Sequence, residues 1–463
     1  MHYSMLKQLR RSGLVCLIVG LCFPALAGEV KFNDLELKAD DRILVFAPHP
    51  DDEVLGAGGV LQKAAAMKLP IKVVFLTYGD SNPWSFLLYR KRPVIMPKAI
   101  RNMGLIRRDE AIEASSVLGI DSKDLIFLGY PDFGTLSMWY YNWNSRPPYR
   151  SLLTRANAVP YQGAFRPGAL YKGDSVVQDL RTVFTAFKPT KIFVSHPADH
   201  NGDHLAAYLY TRVALWDEKM EDSVVVYPYL IHYLDWPKPK GFHPEKDLVP
   251  PEYLAKAITW TEVRLSDKEM QIKKEALQAH RSQYASTPKY LLSFIKNNEL
   301  FGDFPTFKLR ANEETSVFSL KKNIFSGVEL WEEYNDYEKS AFVGIEWKFL
   351  RREGDNLVVS IELSKPLAPE VEASIYFFGY NAKTPFELMP KINVRLGVLS
   401  YSVYDQNKRL EYNAAAIERK PNEIIIKVPL ALLGNPEKIL TSARTYLGNL
   451  PLDSASWVTL ELN

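Results

Sequence analysis

Cysteine is nearly missing from the 463 residues, and the two present, Cys16 and Cys22, sit together in the first 27. That stretch has Lys7, Arg10 and Arg11 near its start, an apolar run from Leu14 to Phe23, and small residues at Ala25 and Ala27 ahead of Gly28. This is the layout of a cleaved secretory signal, residues 1–27, whose apolar run is too short to cross a bilayer. A stable membrane anchor is therefore not expected after cleavage. Neither cysteine follows the small residue that a lipoprotein signal places before its modified cysteine, so lipidation is also set aside. The expectation is an exported protein of the bacterial periplasm or the extracellular medium. With the signal removed no cysteine remains, which excludes disulfides and thiolate ligands; any zinc must be held by His, Asp or Glu.

A surplus of positive charge is missing too. The chain has 57 Lys and Arg against 54 Asp and Glu, but three of the cations lie in the signal, and the rest balance. Nothing in the charge speaks for a nucleic-acid partner. The part beyond the signal is longer than one core usually serves, so two domains are expected.

From Arg42 to about Phe304, short β-branched runs alternate with helical stretches. Ile43–Ala47, Lys72–Thr77, Leu125–Leu128 and Lys191–Ser195 read as buried strands, and Val54–Met67, Arg107–Leu118, Val176–Phe187 and Leu205–Trp216 as helices. That order predicts an α/β, Rossmann-like domain over 28–307, a mostly parallel sheet with helices on both faces and ligands at the carboxyl ends of its strands. From about Phe318 the period becomes twofold, as in Leu357–Leu363 and Trp457–Leu462, which predicts an all-β sandwich over 318–463 with 308–317 as linker. An aromatic insertion, Trp139-Tyr-Tyr-Asn-Trp143 through Tyr161, is too long for a simple connection. Its rings either stack on a substrate or pack the loop onto its domain.

Two clusters carry chemistry. The first strand runs into Ala47-Pro-His-Pro-Asp-Asp-Glu53 and then a helix. His49 and Asp52 are spaced so that a tight turn can aim both at one ion, with Asp51 beside them for proton transfer; taken alone, the acids could equally be a helix cap. The second cluster, Ser195-His-Pro-Ala-Asp-His-Asn-Gly-Asp-His204, follows the fourth strand and places His196, His200 and His204 within nine residues. Two His/Asp clusters at equivalent strand ends converge on one site. His49, Asp52 and His204 form a three-ligand set that leaves a position for water.

These paired motifs resemble the PIG-L/LmbE-like family of zinc-dependent N-acetylglucosaminyl deacetylases over roughly residues 40–303. Leu76-Thr-Tyr-Gly-Asp80, Arg107-Arg-Asp-Glu-Ala111, Leu128-Gly-Tyr-Pro-Asp132 and His280-Arg-Ser-Gln283 agree with that family as well. The resemblance implies His49, Asp52 and His204 as ligands of Zn2+ and Asp51 as general base, with zinc activating water for attack on the acetamide of an N-acetylated sugar or glycan. It also implies sugar contacts at Arg108 and Asp132. One departure is Asn201, where many members carry a histidine assigned as acid or oxyanion donor. His200, by adjacency, or His196 would take that role, or Asn201 contributes only a hydrogen bond to substrate and Asp51, having acted as base, protonates the leaving amine.

Other histidines carry less. His232, in Tyr229-Leu-Ile-His-Tyr233, ends a strand near the site and reads as a core histidine, and His243 and His280 read as structural. A phosphatase would want two metals or a basic phosphate cradle, which these motifs lack. A metal hydrolase of another amide, or a glycan-binding protein acting through the β domain, are the competing readings. The β domain resembles, by pattern alone, the sandwich modules that bind carbohydrates.

Overall fold

The computed structural model describes residues 32–462, apart from 82–95, 317–333 and the single positions 145, 305, 312, 407 and 449. The signal expected at 1–27 lies outside the described residues, as does Phe318, where the sandwich was expected to begin.

The first sheet is built from Phe32–Asp34 (β1), Ile43–Ala47 (β2), Ile71–Thr77 (β3), Leu125–Tyr130 (β4), Lys191–Ser195 (β5), Val225–Tyr229 (β6), Trp260–Arg264 (β7) and Asn298–Gly302 (β8). Its order is β1-β7-β8-β6-β5-β2-β3-β4, and β8 alone runs antiparallel to its neighbours. In β2 and β5 every residue is buried, which is why they read as unbroken apolar runs rather than alternating ones. The crossovers are α1 (Asp52–Ala66), α2 (Pro97–Val117), α3 (Thr135–Tyr141), α4 (Gly173–Phe187), α5 (Gly202–Asp217) and, later, α6 (Asp267–Ala279). Helix α2 starts ten residues before the expected Arg107, with Pro97 in its first turn, where a missing N–H costs nothing.

Helix α1 is interrupted at Ala57, where φ is −145°. Glu299 of β8 accepts from the backbone N–H groups of Gly59 and Val60 at 2.7 and 3.1 Å, so the helix restarts on a buried carboxylate, itself paired with Lys273 at 2.6 Å. Gly56 is required here, because a Cβ would lie 2.4 Å from the Tyr229 ring.

The second layer pair contains Thr306–Leu309 (β9), Glu314–Ser316 (β10), Ile345–Glu353 (β11), Asn356–Leu363 (β12), Val371–Tyr380 (β13), Lys391–Leu396 (β14), Tyr401–Asp405 (β15), Lys408–Arg409 (β16), Ala416–Lys420 (β17), Glu423–Pro429 (β18), Lys438–Leu447 (β19) and Leu450–Leu462 (β20). They form a five-stranded sheet, β10-β11-β12-β18-β17, and a seven-stranded one, β16-β15-β14-β13-β19-β20-β9. One core joins the two, with Leu357, Val359 and Ile361 from the first and Ile375, Phe377, Ile392 and Val394 from the second. The polar stretch expected as a linker differs from that reading: β9 pairs with β20 and β10 with β11, so both ends of it are tied into the sandwich. Backbone pairing overrides the polar side chains there, because edge strands can keep one face in water.

In β13, Ile375 and Phe377 enter that core while the alternate residues face the α/β layer. Tyr376 lies 4.5 Å from Tyr140 and Phe378 5.7 Å from Trp139, ring centre to ring centre. The indole N–H of Trp457 donates to the Tyr140 hydroxyl at 3.0 Å. Lys391 is buried among these rings, 3.8 Å above Phe386, with its ammonium donating to the carbonyls of Phe386 and Met389 at 2.6 and 2.9 Å. The rings of Trp139, Tyr140, Tyr141 and Trp143 are thus packing between the two layers, and the described residues from Phe32 onward form one compact unit.

Candidate functional site

The carboxyl ends of β2, β4 and β5 bring the motifs together. Nδ1 of His49 lies 3.1 Å from Oδ2 of Asp52, Nε2 of His204 lies 3.1 Å from the same oxygen, and the two nitrogens are 3.3 Å apart. All three residues are buried. Ligands about 2.0–2.1 Å from a tetrahedral ion stand roughly 3.3 Å from one another, so this triangle fits one face of a zinc tetrahedron. Two imidazoles and a carboxylate, with no thiolate, also suit that ion.

The far side of each imidazole is held. Nε2 of His49 lies 3.2 Å from Oδ1 of Asp132 and 3.3 Å from Oδ2 of Asp203, and Nδ1 of His204 lies 3.2 Å from Oδ2 of Asp199. These carboxylates are themselves fixed. Asp132 accepts from the Ser81 backbone, Asp203 from the backbone of Phe133 and from the backbone and hydroxyl of Thr135, and Asp199 from the backbones of Ile231 and His232. A carboxylate behind each ring holds a proton on that side, so the opposite nitrogen is the one a cation would take by displacing the second proton. His49, Asp132 and Asp203 also meet at the outer nitrogen as a second ligand-like group; their existing bonds to backbone N–H groups mark them as orienting groups instead.

The electrostatics point the same way. Burial opposes a charged His49, yet Asp132, Asp203 and Asp52 hold it well above the usual histidine value. Burial likewise opposes His204, which Asp199 and Asp52 push up to about 9. Asp52 is held well below the carboxylate range against its own burial by the two histidines. The pocket demands positive charge, which protons meet in the free protein and a divalent cation would meet on binding.

Asp51 stands next to this triangle. It occupies the residue before α1, but its side chain makes no capping bond, which removes the cap as its reason for being there. Its φ is 122°, a strained value for a residue with a Cβ. The backbone N–H donates to Oε2 of Glu53 at 2.9 Å, and Oε1 of Glu53 lies 2.8 Å from Nε2 of His280. The Arg107 guanidinium bridges the carbonyls of Gly79 and Pro50 at 2.7 and 2.5 Å and lies 3.4 Å from Asp51. Burial pushes the Asp51 carboxyl up to about 7; Arg107 opposes this and Asp52 adds to it.

Several sequence candidates take different positions. His196 is wholly buried, its Nδ1 accepting from the Ala198 backbone at 3.0 Å and its Nε2 donating to the Asp303 carbonyl at 3.1 Å, so neither nitrogen is left to act as an acid. Burial lowers it to about 4, consistent with a neutral ring. Asn201 caps α5, its side chain accepting from the Asp203 backbone at 2.9 Å, so its oxygen is spent on the helix. His200 packs against Tyr233 at 4.9 Å. Arg108 is half-buried over Phe127 and pairs with Asp109 at 3.3 Å, and its neighbour Arg107 is the one that reaches Asp51. Asp132 lies at the site, though its oxygens serve His49 and Ser81. His232 stacks edge-on against His204 at 4.7 Å, closer to the centre than a core histidine.

Arg107, Glu53, Asp199 and Asp203 were not singled out in the sequence. All four stand inside the quoted motifs. Arg107 could have been found from the buried stripe of α2, Ile100, Met103, Arg107, Ala111 and Ala114, which excludes Arg108.

Residues 44–215 match the family model PIG-L, GlcNAc-PI de-N-acetylase. No curated protein matches the chain. Among solved structures it is similar to N,N'-diacetylchitobiose deacetylase from Pyrococcus horikoshii, with 18% identity over 54% of this chain and 75% of that one, TM-score 0.33. It is similar to a zinc-inhibited form of teicoplanin deacetylase, with 18% identity over 52% and 84%, TM-score 0.33. It is also similar to 4-carboxy-2-hydroxymuconate hydratase from Pseudomonas putida, with 16% identity over 57% and 97%, TM-score 0.33. The matched segment spans the strand ends that carry both His/Asp motifs, and residues 44–215 are a domain of the PIG-L family.

Proposed function

We propose that the chain is an exported, zinc-dependent N-deacetylase that hydrolyses the acetamide of an N-acetylated sugar or glycan. The observation that carries this reading is the donor triangle of His49, Asp52 and His204, with sides of 3.1, 3.1 and 3.3 Å, beside a strained and uncapped Asp51. His49, Asp52 and His204 would hold a divalent cation, which would supply Lewis acidity toward water and an amide carbonyl. Asp51 takes the proton from the attacking water, and returns it to the amide nitrogen as the C–N bond breaks, leaving acetate and a free amine. Its carboxyl, raised toward neutrality, suits both directions of transfer. Asp132, Asp203 and Asp199 keep the two imidazoles turned, and Arg107 with Glu53 keeps Asp51 in place.

An intact base beside an intact ligand set favours catalysis over a purely glycan-binding role. A glycan contact by the sandwich would fall to exposed rings such as Tyr337 or Tyr412, the latter packed on Tyr401 at 4.3 Å, since Tyr376, Phe378 and Trp457 are committed to the α/β layer. Export rests on the leader sequence, and an N-terminus near Gly28 on protein recovered from periplasm or medium tests it. The activity is tested by zinc stoichiometry and acetate release together. His49→Ala and His204→Ala should lose both, whereas full zinc occupancy with normal turnover in both variants would remove the assignment.

A further inference from the structure

Among the described residues at the site, Phe133 combines an exposed apolar ring with a backbone conformation unsuited to it. It is 60% exposed where its neighbours His49, Asp132 and Asp203 are buried. Its φ is 57°, in the left-handed region that glycine enters freely and bulky residues avoid. Its ring centre lies 6.3 Å from that of His49. The position is held firmly: the Phe133 N–H donates at 2.5 Å to Oδ2 of Asp203, the oxygen that stands 3.3 Å from Nε2 of His49. Behind the turn Tyr149 is so close that a Cβ on Gly134 would lie 2.6 Å from it. One carboxylate oxygen therefore fixes both a proposed metal ligand and the backbone that displays the phenyl ring.

A lone exposed hydrophobic residue usually needs no explanation. This one does, because a glycine or asparagine would satisfy the turn without strain, and an exposed ring adds little to folding. A phenyl group has no polar atom, so what it can offer at the mouth of a polar site is an apolar face. On the proposed substrate the matching surface is the C–H face of the pyranose ring that bears the acetamide.

We propose that Phe133 is a substrate-contacting, specificity-determining residue, the platform on which that sugar ring stacks while its acetamide enters the His49, Asp52, His204 triangle. This rests on the deacetylase reading above. Phe133 then discriminates sugars from small amides, which have a carbonyl for the triangle but no ring for the phenyl.

The test compares wild type with Phe133→Gly and Phe133→Trp. Glycine suits the backbone, so the variant folds with a melting temperature at or above that of wild type. With the β-1,4-linked disaccharide of N-acetylglucosamine as probe, Phe133→Gly should raise KM about tenfold, with kcat and zinc content unchanged, and Phe133→Trp should keep KM near wild type. Binding of the same disaccharide to zinc-free protein, measured by calorimetry, should weaken by a similar factor, while acetate binding to the zinc-loaded protein should not change. An unchanged KM and disaccharide affinity in Phe133→Gly would overturn the proposal, as would a joint loss of zinc and kcat, which would make Phe133 a positioning residue only. If wild type released no acetate from any N-acetylated sugar, the deacetylase reading would fail, and the calorimetric comparison would still decide for or against the platform.

Discussion

Asp203 stands 3.3 Å behind Nε2 of His49, on the side of the ring away from Asp52 and His204. The same side chain accepts from Phe133 and Thr135 and so starts α3, the helix whose rings dock the sandwich. Orientation of His49 and attachment of the second layer therefore share one carboxylate.

Asp203→Asn keeps the shape but loses the charge that draws the proton to the outer nitrogen. Zinc affinity should fall by about 10–100-fold. Equilibrium titration with a zinc indicator reads this directly, and an unchanged affinity would show that Asp132 alone orients His49.

Asp51 and Asp52 are adjacent but should fail differently. Asp51→Asn leaves the three donors in place, so zinc stays bound while turnover falls by about 10²–10⁴-fold. Asp52→Asn should release zinc. Metal content and kcat measured on both variants separate base from ligand, and wild-type turnover in Asp51→Asn would end the assignment of the base.

The pH profile follows from the same residue. Burial raises the Asp51 carboxyl to about 7 in the metal-free protein, Arg107 opposing and Asp52 adding. A base works only when deprotonated, so kcat/KM should climb with rising pH and level off at or below about 7, since a bound cation stabilises the carboxylate and moves the limb downward. Arg107→Gln removes a stabilising charge and should move the limb upward. A limb that stays put would place the titrating group elsewhere.

The strand-end clusters were legible because metal chemistry demands particular residue types, and β2 and β5 were legible because full burial forces continuous apolar runs. The side chains of His49, Asp52 and His204, which the sequence grouped, stand within 3.3 Å of one another. What the sequence could not show was which polar neighbour faces inward: Arg107 and Arg108 differ only by their angle around α2, and Asn201 and His196 look alike as polar residues near a ligand until their bonds to Asp203 and Asp303 are seen. The sandwich was legible by its twofold period. The double burial of β13 was not, because Tyr376 and Phe378 meet a layer more than two hundred residues earlier in the chain.

That contact predicts a stability effect without a chemical one. Trp457 is 1% exposed and donates to Tyr140, so Trp457→Ala should cost about 3–5 kcal/mol. Thermal unfolding measures it. Zinc content at a temperature where the variant remains folded should be unchanged, and a loss of zinc there would show that the sandwich holds α3 and Asp203 in register.

Metal-dependent deacetylation is tested most directly by acetate release from an N-acetylglucosamine oligosaccharide, measured on wild type as purified, after chelator stripping, and after zinc is restored at one equivalent. Acetate should appear at equal rates in the first and third samples and fall to background in the second. Equal release by stripped protein, or none by zinc-loaded protein across N-acetylated glycans, would contradict the role given to His49, Asp52 and His204.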